Sequence, residues 1–97
     1  MEMTGTGILL YPCTTDRAAN LRAGLKSLGV QGARVRCMPN GAGRLVLASA
    51  AERDAARDAL VLVNACTGSG MPFTQPESRF AWNGPTELFF RFLEPRA

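Results

Sequence analysis

With 97 residues, 46% of them hydrophobic, the chain can bury one modest core and has no room for a second, so residues 1–97 are expected to form a single domain. Ten arginines and one lysine against eight carboxylates give a formal net charge of +3, far below what non-specific duplex binders usually carry, which permits an acidic or nucleic-acid partner without demanding one. Cysteines 13, 37 and 66 lack CxxC spacing and the chain has no histidine, which argues against a disulfide framework and a zinc site and points to reduced thiols in a cytoplasmic protein.

The amino terminus, Met1-Glu2-Met3-Thr4-Gly5, carries no basic region, and the apolar run Ile8-Leu9-Leu10 is too brief for a signal peptide or a membrane span. Continuous apolar character from Ile8 to Pro12 predicts a short strand buried on both faces, hence central in its sheet. Thr14 or Thr15 can cap a helix, Asp16 suits its first turn, and Ala18, Leu21, Leu25 and Leu28 recur at helical spacing until Gly29 stops it. A hairpin follows: Ala33 to Met38, a loop at Pro39 to Gly43, then Arg44 to Ala48. Its alternation assigns Val35, Cys37, Leu45 and Leu47 to the core and Arg34, Arg36 and Arg44 to the opposite face.

Ser49 and Glu52 read as a capping box that opens a second helix. Ala56, Ala59, Leu60 and Val63 make its apolar stripe, Arg53, Asp54, Arg57 and Asp58 its solvated side, and Thr67-Gly68-Ser69-Gly70 its end. Met71 to Glu77 is rich in breakers. Beyond it, Ser78 to Trp82 and Glu87 to Leu93 flank Asn83-Gly84-Pro85-Thr86 as a second hairpin, with Leu88, Phe90 and Phe92 facing the core and Phe89 and Arg91 facing away. Strand, helix, strand, strand, helix, strand is the order of a ferredoxin-like β-α-β-β-α-β sandwich, an antiparallel sheet with two helices on one face, here with an extra strand near Phe80 to Trp82.

In that architecture the uncovered face gathers Leu9, Tyr11, Arg34, Arg36, Arg44, Phe89 and Arg91. Guanidiniums among aromatic planes are what single-stranded nucleic acid binding uses, the former for phosphates and the latter for stacked bases. The arrangement resembles the RNA recognition motif in topology only: that family sets aromatics in its first and third strands, where this chain reads Ile8-Leu9-Leu10-Tyr11 and Gly43-Arg44-Leu45-Val46-Leu47. Tyr11 is out of place for the motif and the third strand has no ring. The plainer account of the arginines is a solvated sheet face, or ion pairs with Glu77, Glu87 and Glu94.

Six of the seven aromatic residues follow residue 70, which allows Trp82 or Phe73 to serve as a surface anchor for a partner instead of completing the core. Cys13, between a strand end and a helix start and four residues before Arg17, is the one nucleophile candidate, but no histidine can activate it and a buried structural thiol is the better account. Gly68-Ser69-Gly70 follows a helix instead of preceding one and so is a stop, not a phosphate cradle. Asp16 and Glu52 are explained by helix capping.

No enzyme activity, cofactor or metal is expected. The expectation is a small non-catalytic interaction protein, a regulator or inhibitor, that docks onto a larger protein assembly, with or without nucleic acid, through Tyr11, Arg34, Arg36, Arg44, Trp82, Phe89 and Arg91. Direct binding of single-stranded RNA or DNA by the same face is the first alternative. A homodimeric ligand-binding domain that uses the open sheet as its interface is the second, so both monomer and homodimer stay open. No membrane partner is expected.

Overall fold

The structure of the chain is a computed structural model and describes Glu2–Met3, residues 9–67, Phe73 and residues 82–93. Its first apolar run makes less strand than the sequence predicts. Glu2–Met3 (β1) and Leu9–Leu10 (β2) pair with each other, and the run then touches the main sheet at one antiparallel bridge, Tyr11 to Phe92. Ile8 lies outside the described residues.

Helix α1 (Thr15–Ser27) starts where expected: the Thr14 hydroxyl accepts from the Arg17 N–H at 3.3 Å, satisfying one of the unpaired amides of the first turn. Ala18, Leu21 and Leu25 are its buried stripe. Gly29, at φ +82°, turns the chain so that the Val30 N–H reaches Leu25 O at 2.9 Å and the Gly29 N–H reaches Lys26 O at 3.1 Å, closing the helix on its own carbonyls. Leu28, assigned to the apolar stripe from sequence, is the C-cap instead and is 40% exposed.

Strands β3 (Arg34–Cys37) and β4 (Gly43–Val46) form the expected hairpin, with Arg34 opposite Val46 and Arg36 opposite Arg44. Val35, Leu45 and Leu47 are buried as the alternation requires. Cys37 is exposed although it shares the face of Val35, since it ends a strand at the sheet edge.

The Ser49 hydroxyl accepts from the Ala51 N–H at 3.2 Å and opens a 3-10 turn, Ala50–Glu52, that runs into α2 (Arg53–Leu62). The reciprocal half of the expected capping box is not made. Glu52 Oε2 instead accepts from the Gln31 N–H at 3.2 Å and ties the start of α2 to the segment after α1. Ala56, Ala59 and Leu60 are buried, while α2 stops earlier than predicted because Asn64 takes a left-handed backbone at φ +59°. Ala65–Thr67 then forms a fully buried strand, β5, where the sequence suggested the last turn of a helix.

Strand β6 (Glu87–Phe92) pairs with β4 on one side and β5 on the other, so the sheet order is β3-β4-β6-β5, all antiparallel. The centre that the ferredoxin-like order reserves for the first strand is therefore held by the last. Six residues alternating half-buried and buried supply a long two-sided template, whereas the two residues of β2 are already paired to β1. The result is a small α+β fold, four antiparallel strands in one open sheet with two helices. Helix α1 packs on β3, α2 on β5, and the helices on each other, over the face that carries Val35, Leu45, Leu88, Phe90 and Phe92. The Phe90 and Phe92 rings meet edge-on with centres 5.6 Å apart. Gly43, directly opposite Phe90, leaves the space its ring occupies; a Cβ there would overlap the ring.

The expected strand at Phe80 to Trp82 falls mostly outside the described residues, Trp82 alone being seen, in a bridge to Leu88. The turn after it is closed by the Asn83 N–H donating to Glu87 O at 2.7 Å, with Gly84 at φ +85°. No helix among the described residues is long and apolar enough to cross a membrane.

Candidate functional site

Residues directly opposite each other in a sheet share a face, so register decides which side chains meet. Arg36, Arg44 and Phe89 form one row across β3, β4 and β6, and Arg34, Val46 and Glu87 form the next. The helices cover the other side, where Val35, Leu45 and Phe90 lie. Arg34, Arg36, Arg44 and Phe89 are thus brought together on the open face, as the alternation predicts.

Two of these arginines stand in different circumstances from the third. Arg44 and Glu87 form an ion pair in which Nε and Nη2 both approach Oε2, and Asn83 Nδ2 donates to Glu87 Oε1 at 2.5 Å. That carboxylate offsets the repulsion of Arg44 by Arg36 directly across the strand. Arg34 and Arg36 are exposed and make no ion pair with any of the described residues.

A fourth guanidinium joins them from the far side of the sheet edge. Arg22 reaches from α1 and donates through Nη2 to Val35 O at 2.6 Å, on the outer rim of β3. With Ala33, Arg34, Val35, Arg36, Arg44 and Val46 it lines an open groove of about 530 Å3 whose described lining residues include four arginines and no carboxylate. Lys26 lines the adjoining depression along the α1 side, and Arg22 lines that one too. Sequence reasoning passed over Arg22. Its signal was available, since residue 22 lies beside the buried stripe of Ala18, Leu21 and Leu25, where a long side chain can lay its stem on the core and extend its charge past the sheet edge.

The remaining assigned residues lie elsewhere. Tyr11 is opposite Phe92, a core residue, and so faces the helices; the Arg17 guanidinium lies 5.5 Å from its ring centre and 5.8 Å from that of Phe92. Trp82 is opposite Leu88 and packs against the same core. Arg53 lies 4.5 Å over its ring and donates to Pro85 O at 2.7 Å and Gly84 O at 3.0 Å. The indole Nε1 is buried with no hydrogen-bond partner among the described residues, which suits a wall of the core and not an exposed anchor. Phe73, the other aromatic considered as an anchor, is buried as well. Arg91 belongs to the open face, opposite Cys66, but its Nη2 donates to Asn40 O at 2.9 Å and braces the β3–β4 turn.

The two buried thiols, Cys13 and Cys66, are pushed away from reactivity. Burial first, then the neighbouring Cys37, push Cys13 up from 9.0 to about 12, against the opposing pull of Arg22 and Arg17. Burial likewise pushes Cys66 up to about 11, with Arg91 pulling the other way. Among the described residues no cluster of three His, Cys, Asp or Glu side chains is placed to hold a metal ion.

No known protein family, curated protein or solved structure matches this chain. The functional reading rests on the groove itself. A concave lining with four guanidiniums and no carboxylate among its described residues can receive an extended anionic ligand, the forks of the exposed Arg34 and Arg36 matching a carboxylate or a phosphate while Arg22 and Arg44 add positive charge.

Proposed function

We propose that this chain is a non-catalytic interaction protein, a small regulator or inhibitor, that docks onto an acidic segment of a larger protein through the groove of Arg22, Arg34, Arg36 and Arg44. The observation that carries this reading is a groove with no carboxylate among its described lining residues and with four arginines, two of which, Arg34 and Arg36, are exposed and make no ion pair among the described residues. Apolar Val46 and half-buried Phe89 beside the arginines supply the mixed character of a protein interface.

Direct binding of a single nucleic acid strand is the second reading, since phosphates fit the same cations. It is the weaker one for a specific reason: base stacking needs aromatic planes beside the charges, and with Tyr11 and Trp82 on the helix side Phe89 is the one aromatic among the described residues that lies in the arginine row.

Fluorescence anisotropy with a labelled oligo-glutamate peptide and a single-stranded oligonucleotide of equal charge tests both. The peptide is expected to bind at low salt and to be released by the combined R22A, R34A and R36A changes, with the oligonucleotide no tighter. If the oligonucleotide binds far more tightly, with a logarithmic salt slope near the value of about −2 that three neutralised phosphates give, the second reading replaces the first. Absence of any binding at low salt defeats both.

A further inference from the structure

Cys13 and Cys37 are 24 positions apart, in different segments, and their sulfurs lie 3.2 Å from each other. Backbone bonds on both sides fix this approach. The Cys13 N–H donates to Gly41 O at 2.7 Å, and the Met38 N–H, next to Cys37, donates to Ala42 O at 2.7 Å. Arg91 holds the same turn at Asn40 O, so the backbone segments that carry the two thiols are held against each other. Cys37 is exposed and Cys13 buried behind it, while Cys66 lies on the opposite face of the sheet beside Arg91.

We propose that Cys13 and Cys37 are a redox-responsive pair that closes an internal disulfide when the chain meets a low-molecular-weight disulfide of the oxidised glutathione class. The exposed Cys37 thiolate attacks one sulfur of the reagent; a Cys37 mixed disulfide forms, the reagent's own bond breaks, and the first glutathione leaves and takes a proton. Cys13 then gives its proton to solvent and attacks the Cys37 sulfur, forming the internal bond and releasing the second glutathione. Two protein thiols are oxidised and one disulfide is reduced to two thiols. The order follows from access: only Cys37 meets solvent, and burial of Cys13 keeps it protonated until a sulfur electrophile is delivered next to it. Closing the bond asks for side-chain movement on the order of 1 Å.

The bond would tie the entry of α1 to the end of β3. Thr15, Arg22, Arg36 and Cys37 line a depression of about 520 Å3 beside the arginine groove, so oxidation would fix one end of that surface. The proposal does not depend on what the groove binds.

The test incubates the 97-residue chain with excess oxidised glutathione at mildly alkaline pH, blocks free thiols, and maps the protein by mass spectrometry without reductant. The expected product has lost the mass of two hydrogen atoms, joins the Cys13 and Cys37 peptides, leaves Cys66 blocked as a free thiol, and reverts with dithiothreitol. Cys66→Ser is expected to give the same bond, and Cys13→Ser to keep one glutathione on Cys37. Because replacement of a buried thiol can unfold the chain, the wild-type map decides alone: a stable glutathione adduct at Cys37, a bond that includes Cys66, or a covalent dimer overturns the proposal.

Discussion

On the helix-covered side of the sheet, Arg53 lies 4.5 Å over the Trp82 ring and donates to the carbonyls of Gly84 and Pro85, and Arg17 lies over Tyr11 while donating to Pro12 O at 2.7 Å. On the open side Arg34 and Arg36 are exposed and make no ion pair among the described residues. Residue type is the same; the number of donors already engaged differs. A guanidinium whose forks are filled by backbone carbonyls is part of the fold, and one left to water keeps its donors for a ligand. The covered side should therefore punish change, while Arg34 and Arg36 on the open side should tolerate it.

Gly43→Ala is expected to give the largest effect, because the added methyl has to occupy the space of the Phe90 ring in the middle of the covered face. Overpacking of this kind costs about 3 kcal/mol. Urea denaturation measures it; a loss below about 1 kcal/mol would mean that the core opposite Gly43 is loosely packed and that the contrast between the faces is overstated. Arg53→Ala comes next, at about 1 kcal/mol for the lost ring contact and carbonyl bonds. The chain has one tryptophan, so its emission reports directly whether Trp82 becomes wetter when Arg53 is gone.

The hairpin arginines were legible in the sequence because alternation along β3 and β4 is local, and adjacent strands preserve parity across a short turn. Tyr11 and Trp82 were misplaced for the converse reason. Their faces are set by pairing with Phe92 and Leu88, partners far along the chain or across a turn, and no local pattern reveals that register. Strand β5 escaped notice because Asn64, and not the later glycines, supplies the left-handed turn that ends α2. The approach of Cys13 to Cys37 depends on the whole path through α1 and the hairpin, which spacing alone does not contain.

Alkaline pH sharpens the comparison at smaller magnitude. Cys66 is held up at about 11 in the fold against an ordinary 9.0, so its protonated form is favoured by folding. The contribution is fully present below pH 9.0 and is lost as pH rises toward about 11. Thermal melts across that window should fall less steeply in Cys66→Ala than in the unmodified chain. Equal slopes would show that the thiol is not kept protonated by its surroundings.

The smallest expected effect on stability carries the largest consequence for function. Arg34→Ala and Arg36→Ala together should shift unfolding by no more than about 0.5 kcal/mol, the usual range for surface changes that remove no packed contact. Arg36 faces Arg44 directly across the strand, so its removal also relieves a like-charge pair and can offset part of any loss. The same double variant should release the oligo-glutamate probe while leaving the Trp82 emission and the circular dichroism spectrum in place. A destabilisation above about 1 kcal/mol would place these arginines with Arg17 and Arg53 as fold-holding residues, and the distinction between the two faces would then rest on covering alone, not on vacant donors.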